Sequence, residues 1–153
     1  MDKIEIKVRL SVLKPVADVF DAVVNPTKLS GYLVQTASGP FQEGKQVTWR
    51  FPEFPMNVPI TVGKVVPSKL VTFEWGDRKE GSDTSVTIEF EALDKDSTSV
   101  QVTETGWQPD EKGRENSYRN NTGWMHMLCC LKAYLEYGIN LRKGSFIQKD
   151  FGG

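Results

Sequence analysis

The sequence predicts an α+β domain, a curved antiparallel sheet of about six or seven strands wrapped around a long C-terminal helix, with two short helices after the first strand. Three observations predict it. Ile4, Ile6, Val8 and Leu10 alternate with Lys3, Glu5, Lys7 and Arg9, the pattern of a strand with one wet face. From Val34 to Gly106 the apolar residues keep a period of two, interrupted by turn-forming residues. The chain then switches to a helical period over Arg114 to Arg142, where Trp124, Leu128, Leu131 and Leu135 stack on one face. A helix so lopsided needs a broad apolar surface beneath it, and the strands can supply one.

Pro15 suits the opening of the first helix, whose stripe is Val16, Val19, Phe20 and Val23, and Asn25-Pro26 stops it. A second short helix is expected from Thr27 to Tyr32. Val47, Trp49 and Phe51 share one face of a strand, and Pro52, Pro55 and Pro59 make the following connection irregular or place it at an edge. Ile60 to Val66 forms the next strand, with Pro67-Ser68 as its turn. Val71, Phe73 and Trp75 alternate before a charged turn from Gly76 to Asp83. Val86, Ile88 and Phe90 follow, then a turn at Asp94 to Ser97, and a last strand carrying Val100 and Val102 that ends near Gly106. Residues 106–115 read as a loop, and Gly144 stands just beyond the expected end of the terminal helix.

At 153 residues the chain is expected to be one domain, 1–153, large enough to bury a core without staples. A net charge of -1 and the absence of basic runs interleaved with aromatics argue against a nucleic-acid partner. No segment approaches the roughly 20 apolar residues that span a bilayer, so membrane insertion is not expected. Cys129 and Cys130 are adjacent on the helix, where neighbouring side chains diverge by about 100° and do not form an ordinary disulfide. Free thiols and an N-terminus without an apolar signal core fit the cytoplasm.

Several motifs lose their chemistry in context. Gly39 to Lys45 matches the start of a phosphate-binding loop, but Gln46 stands where Ser or Thr is needed and a strand follows instead of a helix. His126, the lone histidine, falls about 200° from Trp124 and is expected to face solvent, which leaves no histidine-based metal site or Ser-His-Asp triad. Asn120-Asn121-Thr122 fits a glycosylation pattern but lies within the helix. No catalytic residue, metal ligand or cofactor is assigned. Glu104 shares strand parity with Val100 and Val102 and so points coreward, where a carboxylate is costly without partners. The expectation for it is a strand end reached by water, with ion pairing, ligand binding or acid–base work as the alternatives.

The aromatics carry the strongest signal. Trp49, Phe51, Phe73, Trp75 and Phe90 fall on core-phase positions of separate strands, and Phe20, Trp107 and Trp124 can join them. Much of this is core. A curved sheet around a helix can also leave an apolar hollow with a few polar groups, the ordinary form of a small-molecule pocket.

The order of elements, with several local strings, resembles the START-like superfamily (helix-grip, birch-pollen-allergen-like), and within it the family named for the C-terminal domain of the activator of the 90-kDa heat-shock-protein ATPase. The strings are residues 15–23 in the first helix, 63–67 before 69–75, 85–90, 100–107, and Gly123-Trp124 with Leu128, Leu131 and Leu135. The resemblance implies a helix-grip fold with a hydrophobic cavity between the sheet and the terminal helix. It also implies ligands such as lipids, sterols, polyketides or flavonoid-like molecules, and in some members cyclase activity. The co-chaperone that names the family carries a further N-terminal domain for which this chain has no room, so ATPase activation is not expected.

The resulting expectation is a cytoplasmic protein that binds a small hydrophobic molecule. Its cavity would be lined by Phe20, Tyr32, Trp49, Phe51, Phe73, Trp75, Ile88, Phe90, Glu104, Trp107, Trp124, Leu128 and Leu131, with Glu104 or Tyr32 orienting a polar group. The rival expectations are an enzyme using Glu104 as acid or base, and a stress- or chaperone-associated interaction module with a protein partner or a second copy of itself.

Overall fold

The computed structural model describes residues 2–53, 55–75 and 84–147. Its elements are β1 (Ile4–Val12), α1 (Val16–Val24), α2 (Pro26–Leu29), β2 (Thr36–Ala37), β3 (Gln46–Arg50), β4 (Asn57–Val66), β5 (Leu70–Trp75), β6 (Thr84–Asp94), β7 (Ser97–Trp107) and α3 (Glu111–Tyr137). The strands form one antiparallel sheet in the order β1-β7-β6-β5-β4-β3-β2. β1 therefore pairs with the last strand, and α1 and α2 carry the chain from one edge of the sheet to the other. The expected charged turn from Gly76 to Asp83 lies outside the described residues.

The sheet curves where its ladders are interrupted. The pairing of β4 with β5 shifts between Val62 and Val65, an irregularity of the kind that bends a strand and increases its twist. Gly63 sits in that shift, where a Cβ would clash with Thr72 Oγ1. The same hydroxyl accepts the Lys64 N–H at 2.8 Å. The hollow side of the sheet carries Trp49, Phe73, Ile88, Phe90 and Val102, all buried, and α3 buries Trp124, Leu128 and Leu131 in the same core. Leu135, the end of the predicted stripe, is only partly buried.

Helix boundaries follow local chemistry. Pro15 is the residue before α1 rather than its first turn. Asn25 ends α1 and caps α2, its Oδ1 accepting the Thr27 and Lys28 N–H groups at 2.9 and 3.4 Å. The second helix is thus one turn, ending at Leu29 rather than Tyr32. The terminal helix starts three residues earlier than expected because Asp110 Oδ1 accepts the Gly113 N–H at 2.8 Å. It stops at Tyr137, before Arg142, because Gly138 adopts a left-handed conformation (φ 67°) and its N–H returns to Tyr134 O at 3.0 Å. Gly138, not Gly144, ends the helix. The chain beyond it turns back toward α3 and β3, and this reversal shapes the site described below.

The last turns of α3 are tied to the end of β1. Glu136 Oε2 accepts the Leu13 N–H at 2.9 Å and Lys132 Nζ at 2.6 Å, and the same ammonium donates to Ser11 O at 2.9 Å. Burial pushes the Glu136 carboxyl up, but the Leu13 N–H and the Lys132 and Lys14 charges together hold it below the ordinary carboxylate range. A depressed folded-state value means that this stabilisation is present above the ordinary carboxylate pKa and is lost as pH falls through the folded one. Glu136→Gln should therefore cost about 1 kcal/mol at pH 7 and flatten the acid side of the stability–pH curve, read by urea denaturation across pH. An unchanged acid limb would show that the clamp does not couple to folding.

Candidate functional site

The site is organised by Glu104. It lies on β7 opposite Val86 of β6 and Ile6 of β1, and it is fully buried. The expectation of a water-washed strand end is therefore wrong, and the reason is a complete set of donors. Trp124 Nε1 donates to Oε1 at 2.7 Å. Trp75 Nε1 and Thr84 Oγ1 donate to Oε2 at 3.0 and 2.6 Å. Asn120 Nδ2 bridges both oxygens at 3.0 and 3.2 Å. Among the described residues no lysine or arginine pairs with it. Neutral N–H and O–H groups from β5, β6 and α3 take the place of water around one carboxylate, which is how a buried acidic group is retained.

Three of those four donors, Trp75, Asn120 and Trp124, also line a cleft of about 220 Å³ between the sheet and α3. Trp49 and Phe51 of the β3 region complete an aromatic wall, with Leu33, Val58 and Met127 as its aliphatic part. Trp75 and Trp124 lie 5.3 Å apart at 32°, and Phe73 packs behind both. Glu104 itself stands behind the wall and orients it. Trp49 carries an indole N–H that is buried with no acceptor, the lone such side-chain atom among the described residues. Leaving a buried donor unpaired costs about 1–3 kcal/mol.

Gly123 lines the same cleft on the exposed side of α3. A Cβ there would meet nothing within 4 Å, and its φ is not positive. Neither packing nor backbone conformation calls for glycine at this mid-helix position.

A second hollow of about 460 Å³ lies between the α2–β2 connection and the returning C-terminal segment. Tyr32, Gln35, Glu53, Arg142 and Lys143 are among its lining residues, and it shares Leu33 and Arg142 with the cleft. Arg142 donates from Nε to Glu53 Oε1 at 2.6 Å and from Nη2 to Glu53 Oε2 at 3.2 Å. Its guanidinium also stands over the rings of Phe51 and Phe146 at 5.2 and 5.0 Å.

The predicted site residues divide accordingly. Trp49, Phe51, Trp75 and Trp124 line the cleft, and Tyr32 lines the larger hollow. Phe20, Phe73, Ile88, Phe90, Leu128 and Leu131 line neither. They fill the core, with Phe20 edge-on against Phe90 at 5.2 Å. Trp107 is buried but is not part of that core; the register shift at Gly106 pairs it with Ile4 at the end of the β1–β7 ladder. The polar roles expected of Tyr32 and Glu104 are already occupied, since Tyr32 Oη donates to Ala22 O at 2.9 Å and both Glu104 oxygens are taken.

His126 is half-buried rather than fully solvent-facing. The returning segment places Phe146 against its ring at 5.0 Å, and burial and the Arg142 charge hold its pKa below the ordinary value against the opposing pull of Glu53. Cys130 is buried, its Sγ 3.7 Å from both His126 ring nitrogens, and burial pushes the thiol up to about 11. It is therefore an inert packing group at neutral pH. Among the described residues no three His, Cys, Asp or Glu side chains gather as metal ligands, and no helix is long and apolar enough to cross a membrane.

Leu33, Val58, Asn120, Gly123, Met127 and Arg142 belong to the cleft but were not expected there. Asn120 and Met127 stand four before and three after Trp124, Gly123 lies three after Asn120 and four before Met127, and Val58 pairs with Trp49, so sheet register and helix phase could have found them. Arg142 follows from neither.

Comparison with known proteins agrees with this geometry. The family described as "Activator of Hsp90 ATPase homolog 1-like protein" matches residues 14–136. The chain belongs to this family. Its fold is the helix-grip fold of the START-like superfamily. The crystal structure of a Staphylococcus saprophyticus protein is 31% identical, covers 91% of this chain and 96% of its own, and superposes with a TM-score of 0.78. DynU16, a protein of the dynemicin biosynthetic locus, is 25% identical over 88% of this chain and 48% of its own, with a TM-score of 0.76. The Aha1 dimer from Colwellia psychrerythraea, at 21% identity over 88% of this chain and 98% of its own, has the same fold with a TM-score of 0.76. No curated protein matches the sequence.

Glu104→Gln should expose the dependence of the site on its carboxylate. The amide can still accept at one oxygen, but its NH₂ would face donors, and the loss should be about 2–3 kcal/mol in urea denaturation followed by tryptophan emission. A loss below about 0.5 kcal/mol would mean that the carboxylate does not hold the wall together.

Proposed function

We propose that the protein binds a small hydrophobic or amphipathic molecule, of the lipid, polyketide or flavonoid-like kind, in the cleft between the sheet and α3, and does so in the cytoplasm. The observation that carries this reading is the aromatic wall of the cleft, held in place by Glu104 from behind and left uncovered at Gly123. Apolar walls with a few fixed polar groups suit such ligands, and burial of their surface supplies affinity at about 25 cal/mol per Å², less the cost of association. The position of DynU16 in a biosynthetic locus accords with a small-molecule partner. An acid–base role for Glu104 is disfavoured because four side chains of the protein already occupy its oxygens.

Glycine costs a helix interior roughly 1 kcal/mol relative to alanine. Gly123→Leu should therefore leave stability unchanged or raised by up to about that amount while placing a side chain across the cleft. A thermal-shift screen of lipids and aromatic metabolites should find compounds that stabilise the wild type, and their affinity should fall at least tenfold in the variant. Hits that bind both proteins equally would place the ligand elsewhere.

A second reading, a module that pairs with a protein or with its own copy, draws on Tyr137, Ile139 and Leu141, which are exposed where the chain leaves α3. It requires a concentration-dependent complex in light scattering that Leu141→Glu disperses. A monomer at all concentrations would exclude self-pairing.

A further inference from the structure

We propose that the cleft and the larger hollow form one site for an elongated amphiphile with a carboxylate head, its tail against the tryptophans and its head at Arg142. The proposal rests on the binding reading above and specifies its ligand. Leu33 and Arg142 belong to the linings of both hollows, so the two adjoin at these residues. The cleft alone, at about 220 Å³, is smaller than the roughly 300–1,000 Å³ usual for a ligand pocket, and the adjoining hollow of about 460 Å³ supplies the space it lacks.

The linings differ as the two ends of an amphiphile differ. Tryptophan, phenylalanine and aliphatic side chains dominate the cleft, while Gln35, Glu53, Arg142 and Lys143 bring polar and charged groups to the larger hollow.

Charge selects the head. Glu53 engages Nε and Nη2 of Arg142, leaving Nη1 without a partner among the described residues. Lys143 forms no ion pair among the described residues. Two cations therefore stand at the head end against one carboxylate, and that carboxylate is already spent on one side of the guanidinium. A guanidinium can serve a second carboxylate through its remaining N–H groups, and such charge-assisted bonds are stronger than those to a neutral hydroxyl. The rings of Phe51 and Phe146 on Arg142 hold the fork in place for it.

The test compares decanoate with 1-decanol on the full-length protein by calorimetric titration, so that only the head differs. Decanoate should bind at least tenfold more tightly, and Arg142→Gln should abolish the preference. Glu53→Gln separates this role from a purely structural one. Removing the competing carboxylate should raise decanoate affinity severalfold and leave decanol unchanged, whereas an Arg142 that only anchors the C-terminal segment predicts weaker binding of both. Equal binding of acid and alcohol by the wild type, or a preference that survives Arg142→Gln, overturns the carboxylate assignment but leaves the binding function standing. If neither compound binds and the thermal-shift screen is also empty, the binding function itself is overturned.

Discussion

One buried carboxylate sets the geometry on which the rest of the structure depends. Glu104 is fully buried with no cation paired to it among the described residues, so its retention rests on two indoles, an amide and a hydroxyl drawn from β5, β6 and α3. Those side chains cannot change rotamer without leaving a charged group unsolvated inside the protein, which is far costlier than losing an ordinary contact. The constraint runs outward. Trp75, Asn120 and Trp124 are fixed by the acid behind them, and their other faces are the cleft wall. An acidic residue that offers no free oxygen to a ligand thereby decides the shape of what a ligand meets.

The C-terminal reversal supplies the second constraint. Gly138 ends α3 with a left-handed residue, and the following segment returns across the helix face that carries His126 and Cys130. Arg142 is then held between Phe51 and Phe146 and paired with Glu53. The histidine that helical phase places on the outside is half-buried because the protein's own chain covers it. The same reversal puts one arginine in the lining of both hollows.

Much of this was legible beforehand. The period-two run, the long amphipathic helix and the strings around residues 15–23, 69–75 and 100–107 are local signals, and they led to the helix-grip fold that the family match bears out. The core was legible for the same reason, since strand parity and helix phase place Phe73, Ile88, Phe90, Leu128 and Leu131 inward. What parity cannot tell apart is an inward residue that fills space from one that borders a hollow. Both have the same phase, and only the fit of neighbouring side chains separates Trp75 from Phe73. Glu104 was legible as inward-pointing but misread as wet, because its four donors come from positions up to 29 residues away.

By itself, the sequence determined the order of the main elements and the faces most of them bury, because hydrophobic periodicity and stops such as Asn25-Pro26 act over a few residues. Tertiary structure alone decided that the carboxylate of β7 would be solvated by indoles. It also decided that Gly123 would stand beside a cleft and that Arg142 would join two hollows. These outcomes depend on distances between segments remote in the chain, set by sheet order and by the path of the chain after α3, and no local pattern encodes those distances.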